Sequence, residues 1–154
     1  VLAREPRSRF TLLYANRSAK STMFKEEIED LKNRHMARLA LHHVFSSEDT
    51  ELPLHSGVMN RAKLAEFLGR LVDPRSIDHA FVCGPYQMND EAEAALLAAG
   101  VAEERIHIER FGIAPQAQAN AQASGAVEHE SRPGDAGQAA FEKVDPCLNL
   151  SRFF

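Results

Sequence analysis

Apolar positions along this chain follow two rhythms. Short apolar runs without clean alternation occur at Phe10–Ala15, Leu39–Phe45 and Ile77–Cys83, and Arg105–Phe111 adds a fourth β-rich run. Such runs suit strands buried on both faces of a parallel sheet. Between them the apolar residues recur at helical spacing. Met23, Phe24, Ile28 and Leu31 line one face, with Lys25, Glu26, Glu27, Glu29 and Asp30 on the other and Ser21 as the expected N-cap. Leu64, Phe67, Leu68, Leu71 and Val72 predict a second helix, capped by Asn60 and stopped at Asp73-Pro74. Tyr86–Ala99 predicts a third, with Gly100 as its C-terminal stop. Strands alternating with helices predict an α/β fold with a doubly wound parallel sheet.

The rhythm ends near Gly112. Residues 113–140 are rich in Ala, Gln, Gly and Ser and have little apolar bulk, so a flexible linker is expected there. Residues 141–154 regain some apolar character but are too few for a domain, and are expected to be a short tail. The expected organisation is therefore a domain over 1–112, a linker and a tail. A net charge of −4 without a Lys/Arg cluster argues against nucleic acid as a partner. No apolar run approaches the roughly 20 residues of a membrane span. The two cysteines, Cys83 and Cys147, lie far apart and match no disulfide framework or zinc pattern. A reducing cytoplasm is the expected compartment.

The stretch with the clearest chemical promise is Ala80–Met88, in which an apolar run stops at Gly84-Pro85 and a helical pattern begins. In open α/β sheets, ligands collect where strands end and helices begin. Cys83 would stand at that lip, either as a pocket residue or as a small buried apolar side chain. A phosphatase-like thiol loop would need an arginine six residues later, where Asn89 stands. Asn16-Arg17-Ser18 follows the first strand in the equivalent place, where a ligand-facing loop would be delivered, although Arg17 could equally be a solvated loop charge. His42 and His43 are adjacent on a strand and point to opposite faces, so they cannot share a metal.

Several strings carry a resemblance: Phe10–Arg17, Met23–Lys32, Leu41–Val44, Phe81-Val82-Cys83-Gly84-Pro85-x-x-Met88 and Ile106–Gly112. Together they resemble the NAD(P)-binding half of ferredoxin–NADP reductase-type flavoproteins. Within that superfamily they are most similar to reductase subunits of phenylacetyl-CoA epoxidase systems, which serve phenylacetate degradation. The resemblance implies transfer of hydride from NADPH or NADH to FAD, then of electrons through a 2Fe–2S centre to an oxygenase. It implies as partners a flavin domain and a ferredoxin domain of the same full-length chain, and oxygenase subunits. It places Cys83 and Gly84 against the nicotinamide, with Pro85 and Met88 shaping that pocket and Glu109 and Phe111 near the flavin contact. Arg17 and Ser18 would touch phosphate or ribose. Ser46 and Ser47 stand where NADPH-preferring relatives hold the 2′-phosphate, but the usual Ser-Arg pair is lost and Glu48 follows. That removes a bidentate phosphate partner.

The glycine-rich phosphate loop that the family places before Val1, with its central strand, is not in this sequence. Nor is the four-cysteine ferredoxin signature. The expectation is an internal piece of a longer reductase, with the edges of two strands left unpaired around the missing one. Two alternatives stand beside it: a non-catalytic Rossmann-like interaction module, and a piece of a two-domain flavodoxin or flavin reductase.

Overall fold

A computed structural model describes residues 1–110 and 147–152. Phe111, the expected linker 113–140 and the rest of the expected tail lie outside the described residues. The elements run β1 (Arg9–Asn16), α1 (Lys25–Arg34), β2 (Leu39–Phe45), α2 (Arg61–Arg70), β3 (His79–Gly84), α3 (Tyr86–Ala98), β4 (Ile106–Arg110) and β5 (Cys147–Arg152), with short 3₁₀ turns between some of them. The predicted strands and helices of the first 110 residues are all present, with ends shifted by at most three residues.

The sheet order is β2-β1-β5-β3-β4. β1 pairs β2, and β3 pairs β4, in parallel as predicted. The centre of the sheet departs from expectation. β5 lies between β1 and β3, antiparallel to both. The sheet is therefore mixed, and the two edges expected to be unpaired both have a hydrogen-bonding partner. A strand at an open edge presents a row of unsatisfied N–H and C=O groups. Six residues of the expected tail meet that demand from both sides at once.

The core lies on one face of the sheet. Leu13, Ala15, Val44, Ala80 and Val82 from the strands pack against Leu64, Phe67 and Leu68 of α2 and Met88, Ala92, Ala95 and Leu96 of α3. Residues next to these on each strand point the other way. Tyr14, beside Leu13, donates its hydroxyl to the Met23 carbonyl at 3.3 Å, which brings the approach to α1 onto the opposite face. That face is thinly covered. Met23, Phe24 and Leu31 are exposed, and Phe81 of β3 is 44% exposed.

Local chemistry explains the helix ends. The Asn60 side chain accepts from the Lys63 N–H at 2.9 Å, so α2 starts as predicted. Ser21 does not cap α1. It closes instead on Ser18 in a reciprocal pair around a 3₁₀ turn, and α1 begins after Phe24, whose φ of 51° is left-handed. At the end of α3, Gly100 takes φ of 88°. Its N–H bonds the Leu97 carbonyl, and the Val101 N–H bonds that of Leu96, the paired bonds of a Schellman stop.

Candidate nucleotide site at the strand ends

The C-terminal ends of the parallel strands bring most of the candidate residues to one edge of the sheet. The registry aligns His43, Tyr14, Cys147, Cys83 and Glu109 in one row across all five strands. Cys83 and Glu109, the two residues expected nearest the reacting atoms, are thus direct neighbours on parallel strands. Cys83 is half-buried, Gly84 buried, and Pro85 and Glu109 exposed. Pro85 immediately precedes α3, one residue earlier than a first-turn position, with φ of −58°. Met88 is 8% exposed and belongs to the hydrophobic core, so it supports the bend from beneath.

The other half of the site is built by the loops after β1 and β2. The β1–β2 ladder runs on past the strands, with the Ser46 N–H to the Asn16 carbonyl and the Ser47 N–H to the Arg17 carbonyl, both at 3.0 Å. The side chains of Ser46, Ser47 and Arg17 are exposed at the rim of this edge. The Ser18 hydroxyl is already engaged by Ser21. Glu48 accepts from the Ala19 N–H at 3.0 Å, which fixes a carboxylate beside the two serines and ties the two loops together.

Two asparagines matter here that were not among the candidate site residues. Asn89 is fully buried on α3. Its side-chain nitrogen donates to the Gly84 carbonyl at 3.0 Å and the Glu109 carbonyl at 3.3 Å. One amide therefore ties the ends of β3 and β4 to the first turn of α3. The available signal was a polar residue next to Met88 and one turn before Ala92, on a face otherwise apolar. Asn16 ends β1, is 4% exposed, and has a buried side-chain oxygen with no hydrogen-bond partner among the described residues. A buried acceptor left open at a strand tip suits a donor such as a ribose hydroxyl.

Arg110 adds a clamp. It reaches Asp90 at 2.6 Å and Glu93 at 3.4 Å, and its guanidinium lies 5.6 Å from the Tyr86 ring centroid, so the end of β4 is pinned to α3. On β2, His42 packs against Phe67 and His55, while His43 stacks on Phe45 on the other face. Burial lowers the pKa of both rings. Positive neighbours His55 and Lys32 add to that for His42, and nearby Glu29 opposes it for His43. Among the described residues, no three His, Cys, Asp or Glu side chains converge on a metal position. A groove of about 730 Å³ between α2, α3 and the loop Leu71–Pro74 lies away from the strand tips.

Residues 1–94 match the family model described as the oxidoreductase NAD-binding domain. The chain belongs to that family. It is 42% identical over 111 residues to one of the subunits of 1,2-phenylacetyl-CoA epoxidase from Escherichia coli K12, covering 72% of this chain and 31% of the relative. It is also 35% identical over 100 residues to the ferredoxin reductase component of 3-ketosteroid-9-alpha-monooxygenase from Mycolicibacterium smegmatis, covering 65% of this chain and 25% of that protein. The corresponding component from Rhodococcus rhodochrous is 31% identical over 100 residues. The chain thus spans less than a third of the length of these relatives. It is an oxidoreductase-family NAD-binding domain related to reductase components of oxygenase systems, and a pyridine nucleotide is the ligand this supports. Plant-type 2Fe–2S clusters take four cysteines, and this sequence has two. No helix among the described residues is long and apolar enough to cross a membrane.

Proposed function

We propose that this chain binds a reduced pyridine nucleotide across the ends of β1, β2, β3 and β4 and presents its nicotinamide at Cys83 and Glu109. The observation that carries this reading is the juxtaposition of those two side chains at the Gly84-Pro85 bend, held there by Asn89. The dinucleotide supplies hydride, and the acceptor would be a flavin, FAD as the family resemblance implies. The part of these residues is alignment: the bend, fixed to both strands, holds the nicotinamide ring at a set position against the half-buried Cys83, and no general acid or base is required. Beyond the flavin, electrons would pass to a 2Fe–2S centre and an oxygenase of the phenylacetyl-CoA epoxidase kind.

The loop after β2 favours NADH over NADPH. Ser46 and Ser47 offer hydroxyls, but the carboxylate of Glu48 is fixed beside them. A 2′-phosphate would meet that charge without a guanidinium to neutralise it. Calorimetric titration of the purified chain with NADH, NADPH and ADP tests both points. The expected outcome is NADH binding that ADP competes away, with NADPH weaker. Absence of binding at millimolar nucleotide would overturn the proposal in favour of the non-catalytic interaction module, a reading that the antiparallel strand at the sheet centre would then support. Tighter NADPH than NADH would overturn only the part assigned to Glu48.

A further inference from the structure

The two cysteines of the chain are direct register partners. Cys83, at the end of β3, stands opposite Cys147, the first residue of β5, in an antiparallel pair. Directly opposed residues in such a pair have Cα atoms about 4.5–5.5 Å apart. That falls inside the window of about 4.4–6.8 Å that a disulfide spans. Sequence spacing offers no hint of this, since more than sixty residues separate the two.

We propose that Cys83 and Cys147 form a reversible disulfide that fastens β5 in the centre of the sheet. The oxidant class is a small disulfide such as oxidised glutathione. One protein thiolate attacks it, releasing one glutathione and leaving a mixed disulfide on the chain. The second protein thiolate then attacks the protein sulfur of that mixed disulfide and expels the second glutathione. The protein dithiol is oxidised by two electrons, two glutathione thiols are formed, and these carry away the two protons. Excess reduced glutathione reverses both steps. Cys83 is half-buried and not sealed inside the core. The inference stands independently of nucleotide binding, because it rests on strand registry alone. It does make the strand tip carrying Cys83 the place where oxidation and nucleotide binding would meet.

The test uses the full chain, reduced and then treated with oxidised glutathione, with alkylation of remaining thiols, intact mass and peptide mapping. The expected product has lost the mass of two hydrogens and contains one linked peptide pair, Cys83 with Cys147. Closure should be at least about tenfold faster in the native chain than in guanidinium, because the sheet holds the partners together. A chain carrying two separate glutathiones, a disulfide between chains, or closure no faster than in guanidinium would overturn the proposal. A control shifts the thiol by one position, in the double variant C147S/L148C. Neighbouring strand residues face opposite sides of the sheet, so this variant should end as the glutathione adduct. Linkage as fast as in the parent would overturn the register argument even if the parent forms the bond.

Discussion

Replacing Asn89 by alanine should loosen the ends of β3 and β4 and lower the stability of the whole domain. The side chain is fully buried and donates at 3.0 and 3.3 Å to two carbonyls on different strands. Each neutral hydrogen bond contributes about 0.5–1.5 kcal/mol net. The longer of the two sits at the weak end of that range. Removing the amide also leaves a small void, worth about 1 kcal/mol in a core that cannot fully collapse. Against this, alanine is the better helix former by roughly 0.6 kcal/mol. The balance is a loss of about 2 kcal/mol. Urea unfolding followed by far-UV circular dichroism would report it as a lower midpoint with an unchanged slope. The exposed neighbour Gln87→Ala is the control and should stay within about 0.5 kcal/mol of the parent. Asn89→Asp should cost at least as much as the alanine change, since an ionised carboxylate keeps the shape but has no N–H to give the two carbonyls. If Asn89→Ala behaves like Gln87→Ala, or Asn89→Asp is as stable as the parent, the tether assigned to this amide is wrong.

Three other expectations follow from separate parts of the structure. The folded-state pKa values of His42 and His43 lie below the usual 6.5; above that pH both rings are neutral in folded and unfolded chains. As pH falls below it, the unfolded chain takes up protons that the fold resists, so stability declines; a His42→Phe variant whose urea midpoint keeps the parent's slope with pH would contradict this. Gly100→Ala should cost about 1–2 kcal/mol from backbone strain alone, because φ is left-handed while the space for a Cβ is open; a thermal midpoint equal to the parent's would refute that account of the helix stop. Leu150→Pro removes one N–H from a strand paired on both sides, so the amides of Thr11 and Ala80, its register neighbours, should exchange with deuterium much faster; unchanged exchange would mean β5 is not in the sheet.

Much of the scaffold could be read along the chain because its causes are local. Leu39–Phe45 is β-rich and mostly apolar around His42 and His43, and the strand has those limits. Asn60 is followed by an apolar stripe at helical spacing, and its side chain caps the helix that results. Ser21 misled because a second serine three residues earlier satisfies it, and the intervening turn then uses up the residues that would have begun α1. Leu71 fits the stripe of α2 by spacing, yet it is 50% exposed, because the helix has ended and the chain has turned away by that point. The candidate site divides in the same manner. Cys83, Gly84 and Pro85 belong to one continuous motif, so their place at the bend between β3 and α3 can be read along the chain. Asn89 was not, since its value lies in two carbonyls on strands that only the fold brings together.

The strand at the sheet centre has the widest consequence for the site. β1 leads outward through α1 to β2 on one side, and β3 leads outward through α3 to β4 on the other. The order therefore reverses between β1 and β3, which is where open α/β sheets form their ligand crevice. Among the described strands, β5 alone hydrogen-bonds both of them. Neighbouring strands lie about 4.8 Å apart, so one intervening strand holds the tips of β1 and β3 roughly 10 Å from each other. Asn16 and Cys83 owe their separation to that spacing. A strand of either direction would set the same distance, but direction decides what enters the crevice. A parallel strand would end between the tips and deliver the loop that follows it, whereas antiparallel β5 begins there with Cys147. Among the described strands, the spacing between the tips of β1 and β3 is thus set by β5, and no loop following a parallel strand enters the crevice from between them. Affinity should accordingly rest on the outer loops, Arg17-Ser18 and Ser46-Ser47, and on the Gly84-Pro85 bend, rather than on the middle of the sheet.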